Sequence, residues 1–218
     1  MEYIIGLIDE LEDERRKIRR SIKTNLPANT NVIFIDYEIE GESNSLISRL
    51  ESRALSDIEN GKINGLIIDY RIERKEDRVI HGSELFVRLR RIVPQFPIVM
   101  LTDHEVGCGN EDEVDMDKIY RKKGFYQLES DYSQEKISSI FKNMEKYLKK
   151  RMRLEAELMA AKDRYERNKG TIDDVIVYEK ELSYFVPSTI SDVEKALDTS
   201  QIKETLQLLQ QTKELLGE

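Results

Sequence analysis

Residues 64–103 read NGLIIDYRIERKEDRVIHGSELFVRLRRIVPQFPIVMLTD. The stretch holds two short apolar runs, Gly65–Ile68 and Ile98–Leu101. Between them Leu85, Phe86, Leu89 and Ile92 form an apolar stripe at helical spacing. Runs this short and this rich in Ile, Val and Leu suit strands buried on both faces. A strand, a helix and a second such strand make a βαβ unit, with parallel strands and a right-handed crossover.

The alternation continues in both directions. Tyr3–Ile8 and Val32–Ile35 are further apolar runs, and Lys118–Arg121 is polar enough to be an edge strand. Glu12 to Asn25 is charged with Ile18 and Ile22 on one side, and Leu46, Leu50, Ala54 and Ile58 repeat every fourth residue. The expected fold is α/β, a doubly wound sheet of five parallel strands over residues 1–128, with helices on both faces.

In such sheets ligands lie beyond the carboxyl ends of the strands. The residues that follow the five runs are Asp9 and Glu10, Asp36, Asp69, Thr102 and Asp103, and Lys122 and Lys123. Any one of them is explained by a strand end meeting water. Together they put acids after the first and third runs, a hydroxyl after the fourth and an amine after the fifth. Two carboxylates about 4 Å apart repel by about 4 kcal/mol at an effective dielectric of about 20, so a proton or a cation must relieve the cluster. Oxygen ligands without His or Cys suit a hard ion such as Mg²⁺, which keeps waters and bridges to phosphate oxygens. A carboxylate beside such an ion is a nucleophile for phosphorus, and a hydroxyl and an ammonium stabilise the transferring oxygens.

With those residues in view, the first 128 residues resemble the response-regulator receiver family. IIGLIDELEDERRKI is similar to the family's first strand and acidic pair, and NGLIIDYRI to its third strand ending in the phospho-acceptor. HGSELFVRLRRIVPQFPIVMLTD resembles its Gly-x-x-Leu helix, proline-punctuated loop and fourth strand. IYRKKGF is similar to the fifth-strand signature, with Tyr120 as the aromatic, Lys123 as the lysine, in competition with Lys122, and Phe125 as the apolar residue. The resemblance implies that Asp69 accepts a phosphoryl group from a histidine kinase, a phosphotransfer protein or a small phosphodonor. It implies that Asp9, Glu10, Asp69 and the backbone carbonyl of Arg71 hold Mg²⁺. Thr102 and Lys123 would then bond the new phosphate, and Tyr120 would turn inward as the switch.

The stretch departs from the family's pattern in four places. Glu73–Ile80 is long and charged, Asp103 replaces a small residue, Gly124 replaces a proline, and Glu105–Asp117 is acidic where a helix is expected. Two readings therefore stand: a signalling switch phosphorylated on Asp69, and a receiver-like scaffold that binds a partner without phosphorylation. Neither is an enzyme on other molecules, because no second acid just after Asp69 would protonate a leaving group.

Residues 129–218 read as a helical extension. Ser133 to Arg167 lacks Pro and Gly, and Ile137, Ile140, Met144, Tyr147, Arg151, Leu154, Leu158, Ala161 and Tyr165 recur in a loose heptad. That stripe is either a coiled-coil dimer seam or the face packed against later helices. Ile172–Phe185 forms the next helix, Ser191 caps a short one, and Ser200 opens a last one with Ile202, Leu206, Leu209 and Leu216. No His follows His104, which excludes a histidine phosphotransfer bundle and leaves contact with an effector protein, or self-association, as the output.

The chain has 218 residues, 39 % of them hydrophobic and 36 % charged, with a formal net charge of -8. A generic nucleic-acid binder has the opposite charge balance. The basic cluster around Lys146–Arg153 is flanked by Glu145, Glu155 and Glu157 and reads as a solvated face. A single cysteine, Cys108, the lack of a signal-peptide pattern and the lack of a run of about 20 apolar residues lead to the expectation of a cytoplasmic protein with no membrane partner.

Overall fold

The computed structural model describes residues 2–27, 29–39, 43–75, 78–103 and 116–187. In chain order the elements are β1 (Glu2–Ile8), α1 (Glu12–Asn25), β2 (Asn31–Asp36), α2 (Ser43–Glu59), β3 (Gly65–Asp69), β4 (Arg71–Lys75), β5 (Arg78–His81), α3 (Gly82–Ile92), β6 (Ile98–Thr102), β7 (Ile119–Arg121), α4 (Lys122–Phe125), α5 (Asp131–Glu166) and α6 (Ile172–Ser183). Five strands pair in parallel in the order β2-β1-β3-β6-β7. This is the flavodoxin-like doubly wound arrangement, in which the strand order reverses beside β1. Each of the five expected runs is a strand.

Alternation along the strands divides the core. Ile5 and Leu7 of β1, Ile67 of β3, Val99 and Leu101 of β6, and Tyr120 of β7 face α1 and the first half of α5. Leu66, Ile68, Ile98 and Met100 face α2 and α3. The period of two along a pleated strand is the cause, and β3 and β6 are buried throughout because both faces are covered.

The stretch after β3 differs from the expected long loop. It folds as an antiparallel pair, β4 with β5, outside the parallel sheet. The chain then enters α3 at Gly82, whose amide donates to Tyr70 O at 2.8 Å. A Cβ at Gly82 would lie 2.1 Å from the Asp69 carbonyl oxygen, so only glycine lets this helix start so close to the end of β3.

The long helix is α5, of 36 residues, with the Ser130 side chain accepting from Ser133 N as its cap. Its heptad stripe is an internal packing face. Ile137, Ile140, Phe141 and Met144 belong to the sheet core, while Tyr147, Leu154, Leu158 and Ala161 are buried with Val175 and Leu182 of α6. The α/β layer is thus completed by residues beyond 128. Tyr165, the last stripe position, is exposed. Thr171 and Asp174 form a reciprocal capping box that starts α6. The tail meets the sheet layer where Tyr147 OH donates to Phe185 O at 3.1 Å and Gln95 N donates to Tyr184 O at 3.1 Å. The expected short helix after Ser191, the last helix after Ser200, and most of the acidic stretch with His104 and Cys108 lie outside the described residues. Among the described residues no helix is long and apolar enough to cross a membrane.

Leu154 is fully buried between α5 and its neighbours. Leu154→Glu is expected to destabilise the chain by about 3 kcal/mol or more, because an unpaired carboxylate replaces a packed side chain. Urea denaturation of both proteins measures this, and an unchanged midpoint would refute the packed-face assignment.

Candidate functional site

Strand parity assembles the site. Asp9 continues the phase of Ile5 and Leu7, and Asp69 that of Ile67, so both point towards the α1–α5 side of the rim. The β1–β3 register, with Leu7 beside Ile67 and Ile8 beside Ile68, brings Asp9 next to Asp69 when continued by one residue. On the far side of β3, Asp69 is the strand partner of Leu101, and Thr102 follows it. Thr102 is in turn the partner of Arg121, after which β7 ends.

The next residue, Lys122, opens the single turn of α4 and sends its ammonium back across the rim. Its Nζ lies 3.0 Å from Asp69 Oδ1, 3.1 Å from Asp9 Oδ2 and 3.7 Å from Glu14 Oε2. All of this is out of water: Asp9 is 1 %, Lys122 4 % and Asp69 8 % exposed. Lys122, and not Lys123, is therefore the rim lysine; Lys123 is exposed. The reason is again parity, since Tyr120 is in, Arg121 out and Lys122 in.

Glu14 and Tyr126 complete the cluster, and neither stands among the strand-end residues. Tyr126 OH donates to Glu14 Oε2 at 2.8 Å, and Lys17 Nζ donates to Glu14 Oε1 at 2.6 Å. The signal available for Glu14 was its place one helical turn after Glu10, at the start of α1. Burial and the bond to Glu14 push the Tyr126 hydroxyl well above its ordinary pKa. Asp9 Oδ1 accepts from Leu11 N at 2.9 Å, which also starts α1.

The electrostatics is uneven. Burial drives the Asp69 carboxyl up to about 6, against the pull of Lys122, with the Asp9 charge adding to the rise and the Arg71 amide opposing it. Burial works against the Lys122 ammonium too, but Asp69 and Asp9 outweigh it and hold that lysine above its usual pKa. Asp9 and Asp69 share the one buried ammonium of Lys122, while Glu14 also takes Lys17, so the buried pair carries excess negative charge.

The remaining expected residues are placed as follows. Glu10 is half-buried after β1, in the opposite phase to Asp9. Thr102 is buried at the end of β6. Arg71 reaches the site through its backbone amide and starts β4, with its Nε buried and without a hydrogen-bond partner among the described residues. Tyr120 is in the core, stacked at 6.5 Å on Phe125 with the Lys136 ammonium 5.5 Å from its ring centre. Asp103 is exposed, and Asp36 is tied to Arg15 and Arg19 of α1.

Among the described residues no three His, Cys, Asp or Glu side chains group as metal ligands, and Asp9 meets Asp69 across Lys122. The donor chemistry nonetheless fits Mg²⁺, which takes only one or two carboxylates and keeps its waters, and the uncompensated charge favours a cation. Compared with known proteins, the chain matches no protein-family model and no curated protein.

Two measurements follow from this geometry. Lys122→Met strands two buried carboxylates and is expected to cost about 3 kcal/mol at neutral pH, whereas Lys123→Met costs under about 0.5 kcal/mol. Equal effects in chemical denaturation would overturn the assignment. For Asp69, the folded pKa lies above the unfolded one, so the folded state binds more protons between the two values. Ionised Asp69 therefore lowers stability above about pH 6, and this loss disappears as the pH falls to about 4. Asp69→Asn should gain about 1–3 kcal/mol over wild type near pH 8, with the gap closing at low pH. A gap that is flat with pH would contradict the raised pKa.

Proposed function

We propose that this protein is a response-regulator-like switch, phosphorylated on Asp69 in a Mg²⁺-dependent way, with its output carried by protein contact through the helical part. The observation that carries the reading is Asp69 itself. It is a nearly buried carboxylate at the carboxyl end of a central parallel strand, held at 3.0 Å by a buried ammonium and one strand away from a buried threonine. A buried acid with perturbed ionisation at a sheet's switch point is a candidate for chemistry on physical grounds.

In the proposed step an Asp69 carboxylate oxygen forms a bond to the donor's phosphorus while the bond from phosphorus to the leaving oxygen or nitrogen breaks. The leaving group departs with the electron pair and takes its proton from solvent or from the donor protein. Asp9, Glu10, Asp69 and the carbonyl of Arg71 are the groups that would hold Mg²⁺, which supplies charge neutralisation for the phosphoryl oxygens. Lys122 and Thr102 stabilise the acyl phosphate, the ammonium by charge and the hydroxyl by a hydrogen bond. The donor is a histidine kinase, a phosphotransfer protein or a small acyl phosphate. The chain catalyses nothing beyond its own modification.

Output follows from where Lys122 sits. Drawing its ammonium to a phosphate weakens its hold on Asp9 and Glu14 and pulls on α4. Phe125 of that turn stacks on Tyr120, and Lys136 of α5 covers the same ring. The rim is thus connected to the long helix through packed side chains, and phosphorylation shifts the balance between two arrangements of that helix. The scaffold reading is favoured by one observation: Ile172, Ile176 and Val177 of α6 are 47 %, 45 % and 53 % exposed.

Incubation with acetyl phosphate and Mg²⁺, read by intact mass, is expected to add one phosphoryl group to the wild type and none to Asp69→Asn. A wild-type chain that takes no phosphoryl group from acetyl phosphate or phosphoramidate would leave the scaffold reading standing.

A further inference from the structure

At the end of the sheet opposite the rim lies a cavity of about 360 Å³. Its floor is formed by the amino-terminal residues of β3 and β6, Gly65–Ile67 and Ile98–Val99, and one wall by the second quarter of α5. Its volume is within the about 300–1,000 Å³ of small-molecule sites.

The lining is sorted by charge. Arg90, Lys118, Lys146 and Lys150 all line the cavity, and among the described residues no carboxylate does. That runs against a chain with 43 acidic and 35 basic residues. Among the described residues neither Lys118 nor Lys146 has a carboxylate partner, whereas Lys149, one turn away, is paired with Glu145 at 2.6 Å. Arg90 is oriented by a bond from its guanidinium to the Pro94 carbonyl. Four like charges around one hollow repel each other, and a bound anion relieves that repulsion.

Beside the cations the lining is aromatic, three largely buried rings packed against one another whose edges border the cavity. Tyr147 meets Phe96 edge-on at 5.2 Å and stacks with Phe185 at 5.8 Å, and Lys150 lies 5.3 Å from the Phe185 ring centre. The amides of Gln95 and Asn143 are in the same lining, with donors and acceptors for the edge of a planar heterocycle. Anion-seeking groups, aromatic edges and two amides together suit a ligand with a phosphate at one end and a planar, edge-polar ring at the other. A nucleic-acid polymer is disfavoured by the formal charge of -8 and by the apolar floor.

The geometry points to a nucleoside phosphate as the ligand of this cavity, its phosphates among Arg90, Lys118, Lys146 and Lys150 and its base against Phe96, Tyr147 and Phe185. Such a ligand touches the α3–β6 connection, α5 and the end of α6 at once. It would stiffen the junction between the sheet layer and the helical extension, independently of Asp69.

The test is calorimetric titration of the full chain with ADP, inorganic pyrophosphate and adenosine, in EDTA so that no divalent ion acts at the rim. ADP is expected to bind at one site, more tightly than pyrophosphate, with adenosine at least about tenfold weaker. Lys118→Gln with Lys146→Gln should weaken ADP at least about tenfold. Lys142→Gln with Lys149→Gln, outside the cavity, and Asp69→Asn should leave it unchanged, and thermal melts confirm that each variant is folded. No binding of ADP, or equal weakening by the two lysine pairs, overturns the site. Pyrophosphate binding as tightly as ADP overturns the nucleoside assignment.

Discussion

A lysine ammonium taken out of water among three carboxylates is the constraint around which the rim is organised. Lys122 Nζ has Asp69, Asp9 and Glu14 within 3.0–3.7 Å, and none of the three comes from the same element as another. Desolvating such a charge costs several kcal/mol unless close partners offset it. The end of β1, the end of β3 and the first turn of α1 must therefore all be in place before Lys122 can be buried. The same cluster explains why Asp69 resists ionisation: burial raises its carboxyl, the Asp9 charge adds to the rise, and Lys122 offsets only part of it.

From that cluster the structure leads to α5. The turn that begins with Lys122 ends at Phe125, which packs on Tyr120 and under Ile137 and Ile140. Further along, Met144 is the last residue of this core and Tyr147 the first of the other. Arg151 then donates to Ile58 O at 2.9 Å and Glu59 O at 3.2 Å, placing a cation on the carbonyls at the end of α2. One unbroken helix is thus shared by the α1 side of the sheet and by the α6 layer. A unit cut after residue 128 would expose Ile5, Ile67 and Val99 on a bare sheet face.

Much of this was legible because it is periodic. The five strands, the first helix, the long helix and the expected rim acids followed from runs and stripes that local spacing dictates. The heptad of α5 was legible as a stripe, but not what it met, because a stripe has the same spacing whether its partner is a second chain or the chain's own sheet and α6. The pair β4–β5 was hidden in charged residues with no alternation of apolar side chains. Glu14 and Tyr126 were hidden because their contact spans 112 positions. The cations of the cavity, Arg90, Lys118, Lys146 and Lys150, are scattered over three segments and gather only on folding.

The sequence by itself determined the five parallel strands, the helices between them and the rim on which acids, hydroxyl and amine meet, since these depend on spacing within one run. Tertiary structure alone decided which of two adjacent lysines is buried, that Asp9 is buried while Glu10 is only half-buried, and where α5 spends its apolar face. Those choices turn on how a strand's last residue is phased and on which distant surface becomes dry, and neither is a property of a local stretch of chain.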